Sequence, residues 1–308
     1  MRKLLTVSLA CLTLSACSTA THQEVTSFYD YQLFTPDAQA VSLSRFGKDI
    51  QNADIILVGE WHTHSGVHRF QTDLVKALIS QGHDVAVSME QFSRDSQSII
   101  NQYLAGEIGE QMLIKSASAW PNYESDYRPL VELAKANQID VIAANAPKPI
   151  VRCIGRQGLD YLEKLTPEQR AYVAETIDVA PSPYKDKFMA SMHHGKPEQS
   201  EKQFSAQVTW DETMAESMIH YLEQNPSKQI IHFAGKFHIE DGLGTKASIL
   251  SRKPDLNVVV ITPTEDVISD SRDYQLKVLA PPVRYVQMEN QIKAYHSLTK
   301  RNQDLSCL

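Results

Sequence analysis

The sequence predicts an α/β fold in which a largely parallel, open sheet is flanked by helices and carries a helical insertion as a cap subdomain. Two observations lead to this prediction. Short apolar runs alternate with amphipathic helical patterns, which is typical of parallel strands joined by crossover helices. Between the third and fourth apolar runs, about 80 residues have helical patterns throughout, which is too long for a simple connection.

The chain begins with a segment typical of a bacterial lipoprotein signal. Arg2 and Lys3 precede an apolar stretch at residues 4–14, shorter than the roughly 20 residues of a membrane-spanning helix. The alternative, a transmembrane anchor, is therefore disfavoured. Residues 14–17, Leu-Ser-Ala-Cys, resemble a lipobox, which implies cleavage after residue 16 and lipid attachment to Cys17. Ser18 favours the periplasmic face of the outer membrane, by resemblance to bacterial sorting rules.

Composition and polarity predict the domain organisation. Residues 1–16 are assigned to the signal peptide and the polar residues 17–40 to a lipidated tether. Residues 41–265 form the α/β domain, with the cap at about 148–226, and residues 266–308 form a C-terminal extension. The net charge is −7, or −9 once Arg2 and Lys3 leave with the signal. An acidic chain without a basic stripe or a known binding motif indicates no nucleic-acid partner.

Five apolar segments predict the buried strands. They lie at residues 54–58, 84–89, 140–144, 229–234 and 257–261. Helical patterns at 67–81 and 127–137 separate the first three strands. Five helical segments fill the insertion, at 150–156, 159–165, 167–177, 184–193 and 200–224. The third of these begins with Thr-Pro-Glu-Gln at 166–169, a capping box with proline at the first helical position.

The four cysteines reduce to one candidate disulfide. Cys11 leaves with the signal and Cys17 carries lipid, so Cys153 and Cys307 remain. They form a disulfide in an oxidising compartment only if the C-terminal segment brings them within bonding range. The chain has no Cys-x-x-Cys, so a thiolate zinc site and thioredoxin-like chemistry are not indicated.

Two copies of Gly-x-x-His are the most informative motif in the chain. Residues 59–62 follow the first predicted strand, and residues 235–238 follow the fourth. Functional side chains of open α/β sheets gather at the carboxyl ends of the strands. Glu90 follows the second strand and belongs to the same edge. The sequence therefore predicts one cleft lined by Glu60, His62, Glu90 and His238.

Two kinds of chemistry suit this group of residues. Carboxylates beside imidazoles can act as general acids and bases, which favours a hydrolase that uses Glu60, His62, Glu90 and His238. Alternatively, Glu60, His62 and His238 can hold a divalent metal ion. A purely structural role, in which these side chains cap helices or satisfy loop amides, is the simplest alternative.

Five motifs in order resemble those of the ChaN-like haem-binding lipoproteins, over residues 40–265. This family looks related to Tiki metalloproteases and erythromycin esterases. The motifs are ILVGEWH at residues 56–62, SMEQF at 88–92, DYRPLVELA at 126–134, VIAANAP at 141–147 and HFAGKFH at 232–238.

The resemblance implies haem as the ligand, a role in haem-iron uptake, a haem-mediated homodimer and an outer-membrane haem receptor as a partner. An exposed tyrosinate suits ferric haem, so Tyr123, Tyr127 and Tyr184 are the candidate iron ligands. His193 and Lys196 are the candidate partners of the haem propionates. The chain lacks Cys-x-x-Cys-His, so the haem would not be covalently attached. A tethered interaction module, which binds neither haem nor metal, is a third possibility.

Overall fold

The computed structural model describes residues 24–192, 196–300 and 306–307. Within these residues the strands form one sheet. They are β1 (Gln32–Phe34), β2 (Ile55–Glu60), β3 (Val85–Ser93), β4 (Val141–Asn145), β5 (Gln229–Gly235), β6 (Val258–Thr264) and β7 (Tyr274–Lys277). Their order across the sheet is β1-β7-β6-β2-β5-β3-β4. The pair β1 and β7 is antiparallel, and all other neighbours are parallel.

The predicted α/β class and the five predicted strands are confirmed. Each strand runs one to four residues beyond its predicted end. Apolar runs mark only the parts of a strand that pack against helices on both faces. At the carboxyl edge polar residues stay in the ladder; Glu60 pairs with Gly235, and Glu90 lies within β3. These polar strand ends are the ones that carry the predicted site.

One face of the sheet is covered by helices from the first half of the chain. They are α1 (Leu43–Asp49), α2 (Ser65–Ser80), α3 (Gln97–Leu104), α4 (Glu110–Ser116) and α5 (Arg128–Ala136). Phe70 and Leu74 of α2 and Leu130 of α5 are fully buried in the core of this face. A single π-helical turn at Tyr123–Tyr127 leads directly into α5.

The insertion between β4 and β5 covers the edge of the sheet and also forms the crossover connection between these two strands. It contains α6 (Lys148–Gln157), a 3₁₀ turn at Leu159–Lys164, α7 (Pro167–Ala171), α8 (Pro183–Ser191) and α9 (Pro197–Gln224). The predicted capping box at Thr166 and Gln169 is present.

The first half of α9 packs against α8 through Phe204 and Phe188. Its second half buries Met214 and Met218 against the opposite face of the sheet. Two further helices, α10 (Lys236–Ile239) and α11 (Thr245–Arg252), follow β5. The predicted cap is therefore continuous with the core, because one long helix belongs to both.

The sheet extends beyond the predicted domain at its β1 edge. The tether was predicted to reach residue 40, but β1 lies within it and buries Leu33 to 3% exposure. Its partner β7 lies in the predicted C-terminal extension. Strands of three and four residues are too short to show an alternating pattern. The predicted signal peptide and Cys17 lie outside the described residues.

The C-terminal segment continues from β7 into α12 (Met288–Lys300) and returns to the insertion. A disulfide joins Cys153 of α6 to Cys307, with Cα atoms 5.7 Å apart. Val286, Met288 and Tyr295 in this segment are exposed. No helix in the described parts of the chain is long and apolar enough to cross a membrane.

Candidate functional site

Three adjacent strands place the predicted residues around one cleft. The neighbours β2, β5 and β3 end at the same edge of the sheet. Glu60, His62, Glu90 and His238 all line a cleft of about 1140 Å³ there. The convergence follows from the parallel register, in which Glu60 lies opposite Gly235.

Glu60 is a buried carboxylate whose two oxygens are fully engaged. Oε1 accepts hydrogen bonds from His62 Nδ1 at 2.8 Å, Tyr127 OH at 2.7 Å and Gln91 Nε2 at 3.1 Å. Oε2 accepts from Gln71 Nε2 at 2.7 Å. Burial raises the pKa of Glu60, but the hydrogen bond from His62 and the nearby imidazoles outweigh it and lower the pKa to about 2. Glu60 is therefore ionised at neutral pH.

His62 connects the buried Glu60 carboxylate to the surface of the cleft. Its side chain is 44% exposed, and the ring stands edge-on to Trp120 at 5.0 Å between centroids. Burial lowers the pKa of His62, but the hydrogen bond to Glu60 and the charge of Glu90 raise it overall. Within the described residues Nε2 has no hydrogen-bond partner, so this nitrogen is available to a ligand.

His238 forms a second imidazole–carboxylate pair. Its Nδ1 lies 3.0 Å from Asp211 Oδ1 of α9, which also accepts from the Thr245 hydroxyl at 2.8 Å. On the other side, Nε2 lies 3.9 Å from Glu90 Oε1. Burial lowers the pKa of His238, but the charges of Asp211 and Glu90 outweigh it and raise the pKa to about 9.

Gly235 lies where the two pairs approach each other. Its backbone N–H donates to Glu90 Oε2 at 2.6 Å. A methyl group at this position would lie 2.9 Å from His62 Cε1 and 3.0 Å from its Nε2. The glycine of the second motif is therefore needed for the close approach of His62, not for an unusual backbone angle.

The sequence interpretation missed Asp211, the partner of His238. Asp211 is 1% exposed in the middle of α9. It lies on the same side of the helix as Met214, Ala215 and Met218, at spacings of three, four and seven residues. A carboxylate on an otherwise apolar helical face was the sequence signal that could have identified Asp211 as a site residue.

The three candidate tyrosines do not reach the cleft as exposed phenols. Tyr123, Tyr127 and Tyr184 are 2%, 0% and 5% exposed. Tyr127 donates to Glu60, and Tyr184 donates to Asp211 Oδ2 at 2.8 Å. Burial first, and nearby negative charge second, raise the pKa of Tyr127 and Tyr184, and burial also raises the pKa of Tyr123. The expected exposed tyrosinate is therefore replaced by buried, protonated phenols.

Of the two candidate propionate partners, only Lys196 lies in the described residues. Lys196 is exposed at the start of α9 and does not line the cleft. His193 lies outside the described residues. The cationic side chains that do line the cleft are Lys148, Arg152, Lys236 and Arg284.

The structure does not support the expected divalent metal site. In the described residues, no group of three or more His, Cys, Asp or Glu side chains is arranged to hold a metal ion. The physical reason is that Glu60 is saturated by four protein donors and Nδ1 of His238 is occupied by Asp211.

At the rim of the cleft, the segment before β1 meets the segment after β7. His64 is the residue before α2. Its Nε2 donates a hydrogen bond to the Leu279 carbonyl oxygen at 2.9 Å, since a carbonyl oxygen can only accept. The Phe28 ring lies 4.9 Å from the His64 ring. Phe28, Pro281 and Arg284 also line the cleft. The N-terminal and C-terminal segments thus meet at its rim.

Residues 46–249 match the family model described as haem-binding uptake, Tiki superfamily, ChaN. The chain belongs to this family. The predicted resemblance is therefore confirmed, over a range close to the predicted one.

One solved structure of a ChaN protein shares the fold. The structure of ChaN of Campylobacter jejuni, described as showing cofacial heme binding, is 18% identical with a TM-score of 0.64. The match covers 82% of this chain and 98% of that one. An erythromycin esterase mutant in its open conformation is 13% identical with a TM-score of 0.45, and the match covers 86% of each chain.

One curated relative matches a short segment. The chloroplastic protein RETICULATA-RELATED 5 of Arabidopsis thaliana is 26% identical over 88 residues, which cover 28% of this ChaN-family chain. The matched segment spans 12% of the length of that relative.

Proposed function

We propose that this ChaN-family protein binds haem non-covalently in the cleft at the carboxyl edge of its sheet. The observation that supports this most is the make-up of the cleft wall. Aromatic rings and prolines line the cleft together with three imidazoles and four cationic side chains. Haem presents the complementary chemistry, an apolar macrocycle with two carboxylates.

The size and composition of the cleft fit this ligand. Its volume of about 1140 Å³ lies slightly above the usual range of small-molecule sites, about 300–1000 Å³, as a large ligand requires. The apolar lining includes Trp120, Trp210 and Phe237, and Lys148 and Arg284 are exposed. We assign the macrocycle to the aromatic side chains and the propionates to the cations, since charge pairing fixes orientation. Bound haem would supply an iron centre that takes an axial ligand.

Hemin titration of the chain that begins after Cys17 tests this proposal. We expect a saturable change in the Soret absorbance with one hemin per chain. Replacing Lys148 and Arg284 together by Glu should weaken binding, because both charges then repel the propionates. Lys76→Glu on α2 is the control, since Lys76 is exposed and does not line the cleft. Equal affinity for all three proteins would contradict the assignment of the propionates.

We further propose that the protein is a lipid-anchored component of haem-iron uptake at the periplasmic face of the outer membrane. The lipobox at residues 14–17 supports the anchor. Metabolic palmitate labelling of Cys17→Ser tests it, because label that persists in this variant would exclude Cys17 as the acylated residue. Transfer of hemin from a purified outer-membrane haem receptor would test the uptake role.

A hemin-dependent homodimer is part of the proposal. A flat apolar macrocycle bound in an open cleft gains free energy when a second subunit covers its exposed face. Sedimentation velocity with and without hemin should show a dimer only in the loaded protein. A monomer at saturating hemin would exclude it.

A hydrolase is the second candidate function. Two imidazole–carboxylate pairs, His62 with Glu60 and His238 with Asp211, face Glu90 across one cleft. This arrangement can activate water by general base catalysis. Assay of the hemin-free protein against a panel of esters, with Glu90→Gln as the inactive control, separates the two functions. Turnover that Glu90→Gln abolishes, together with no hemin binding, would favour the hydrolase.

A further inference from the structure

We propose that the apolar side chains beside the rim of the cleft form a surface that docks on an anionic lipid bilayer. We call this surface the rim patch. It consists of Phe28 and Tyr29 before β1 and of the exposed apolar side chains in residues 283–295 after β7. The inference goes beyond the proposed lipid anchor, because it concerns protein side chains and needs no acyl chain.

Exposed large apolar side chains are concentrated in the rim patch. Ten such side chains are exposed in the described residues, and eight of them belong to the patch. Two precede β1, and six follow β7, namely Val283, Tyr285, Val286, Met288, Ile292 and Tyr295. Single apolar residues are ordinary on a protein surface, but a concentrated group indicates contact with a partner or a membrane.

The two parts of the rim patch are joined at His64. The Phe28 ring lies 4.9 Å from the His64 ring, and His64 Nε2 donates to the Leu279 carbonyl oxygen at 2.9 Å. Phe28, Pro281 and Arg284 also line the cleft. The patch is therefore continuous with the rim of the cleft.

The helix α12 has the pattern of a helix that lies at a membrane interface. Met288, Ile292 and Tyr295 are spaced by four and three residues, so they share one face, and all three are exposed. Asn290 and Lys293 lie on the opposite face. In a globular protein the apolar stripe of a surface helix normally faces the core. A helix whose apolar face is left exposed can instead bind in the plane of a bilayer interface.

Charge favours an anionic bilayer over a second copy of the chain as the partner. In the sequence, residues 279–300 contain three basic residues and one acidic residue, so their net charge is +2, whereas the whole chain has −7. Two such segments repel each other across a two-fold interface, but each is attracted to anionic lipids. Tyr29, Tyr285 and Tyr295 also suit this partner, because aromatic rings with a polar tip are enriched at membrane interfaces.

The position of the rim patch agrees with the proposed anchor. Cys17 precedes Phe28 by eleven positions, and eleven residues span at most about 40 Å. An acyl chain at Cys17 would therefore keep the patch near the bilayer, where a high effective concentration favours even weak docking.

Docking of the rim patch would place the mouth of the cleft beside the lipid surface. This consequence rests on the proposed haem binding. An apolar macrocycle can then move between lipid and cleft without full exposure to water.

Co-sedimentation with lipid vesicles tests the docking surface, using the hemin-free chain that begins after Cys17. We expect binding to vesicles of phosphatidylethanolamine and phosphatidylglycerol, and weaker binding to phosphatidylcholine vesicles or at high salt. Ile292→Glu should lower the partition coefficient about tenfold, because it places a charge on the apolar face of α12. Met112→Glu is the matched control, since Met112 is 52% exposed on α4 and Ile292 is 49% exposed on α12. Circular dichroism verifies that each variant is folded.

Three results would overturn the docking surface. The first is a wild-type chain that binds neither kind of vesicle, and the second is an equal partition coefficient for Ile292→Glu and Met112→Glu. The third is a hemin-free dimer in sedimentation velocity that Ile292→Glu dissociates, which would identify a second copy as the partner. The vesicle measurement needs neither hemin nor an acyl chain, so its failure is distinguishable from failure of the proposed haem binding or of the proposed anchor.

Discussion

The absence of a side chain at Gly235 leaves the space that the His62 ring occupies. In Gly235→Ala the new methyl group would lie 2.9 Å from His62 Cε1, so the exposed ring must rotate away. We expect hemin affinity to fall, and we expect the free energy of unfolding to fall by about 1.5–3 kcal/mol, because the rotated ring no longer donates to the buried Glu60 carboxylate. Hemin titration and urea denaturation measure the two effects. Gly109→Ala is the control, because a methyl group there meets open space. Equal loss of affinity in both variants would contradict this account.

Tyr127 donates a hydrogen bond to Glu60. Its replacement distinguishes this structural role from binding to the haem iron. Tyr127→Phe removes one donor from a buried carboxylate, which should lower the free energy of unfolding by about 1.5–3 kcal/mol. The spectrum of the hemin complex should remain that of the wild type. Tyr29→Phe, at a residue that is 65% exposed, should change neither quantity. A changed iron-ligand signature in the hemin spectrum of Tyr127→Phe would instead identify Tyr127 as the iron ligand.

The residues that the sequence could predict are those at strand ends. Glu60, His62, Glu90 and His238 follow or end apolar runs, and parallel topology brings such positions together. Asp211 could not be placed in this way, because a helix of 28 residues offers no end that marks the site. The burial of Tyr123, Tyr127 and Tyr184 could not be predicted from the sequence either, because it depends on tertiary packing.

At the scale of elements, α9 links the cap to the chemistry of the cleft. Its Asp211 holds His238, and its second half lies on the sheet. Movement of this helix along its axis would therefore alter the partner of His238. The insertion supplies residues of the cleft wall, such as Lys148 and Trp210. Its continuity with the crossover to β5 depends on packing that a helical pattern does not reveal.

The link between α9 and His238 predicts a pH dependence of stability. The pKa of His238 is raised from 6.5 to about 9 in the folded state, so between these values unfolding releases a proton. The stabilisation is fully present below about pH 6.5 and is lost as pH rises through about 9. Urea denaturation from pH 6 to 10 should show this decline in the wild type. His238→Gln should flatten it, and His220→Gln should not. The same slope in all three proteins would contradict the coupling to Asp211.

Across the whole molecule, the disulfide closes a long loop. It joins residues 154 positions apart in sequence, so it restricts the unfolded chain strongly. Cys307→Ser should lower the free energy of unfolding by about 2–5 kcal/mol. Reduction of the wild type should reproduce the loss and should have no further effect on the variant. Stability that is the same with and without reductant would show that the bond does not form in solution.

The contacts of His64 with the segment before β1 and the segment after β7 have a mechanical consequence. Phe28, His64 and Leu279 join the N-terminal segment, α2 and the C-terminal segment at the rim of the cleft. A displacement of the segment that contains Phe28 would therefore reach the rim of the cleft through the His64 ring.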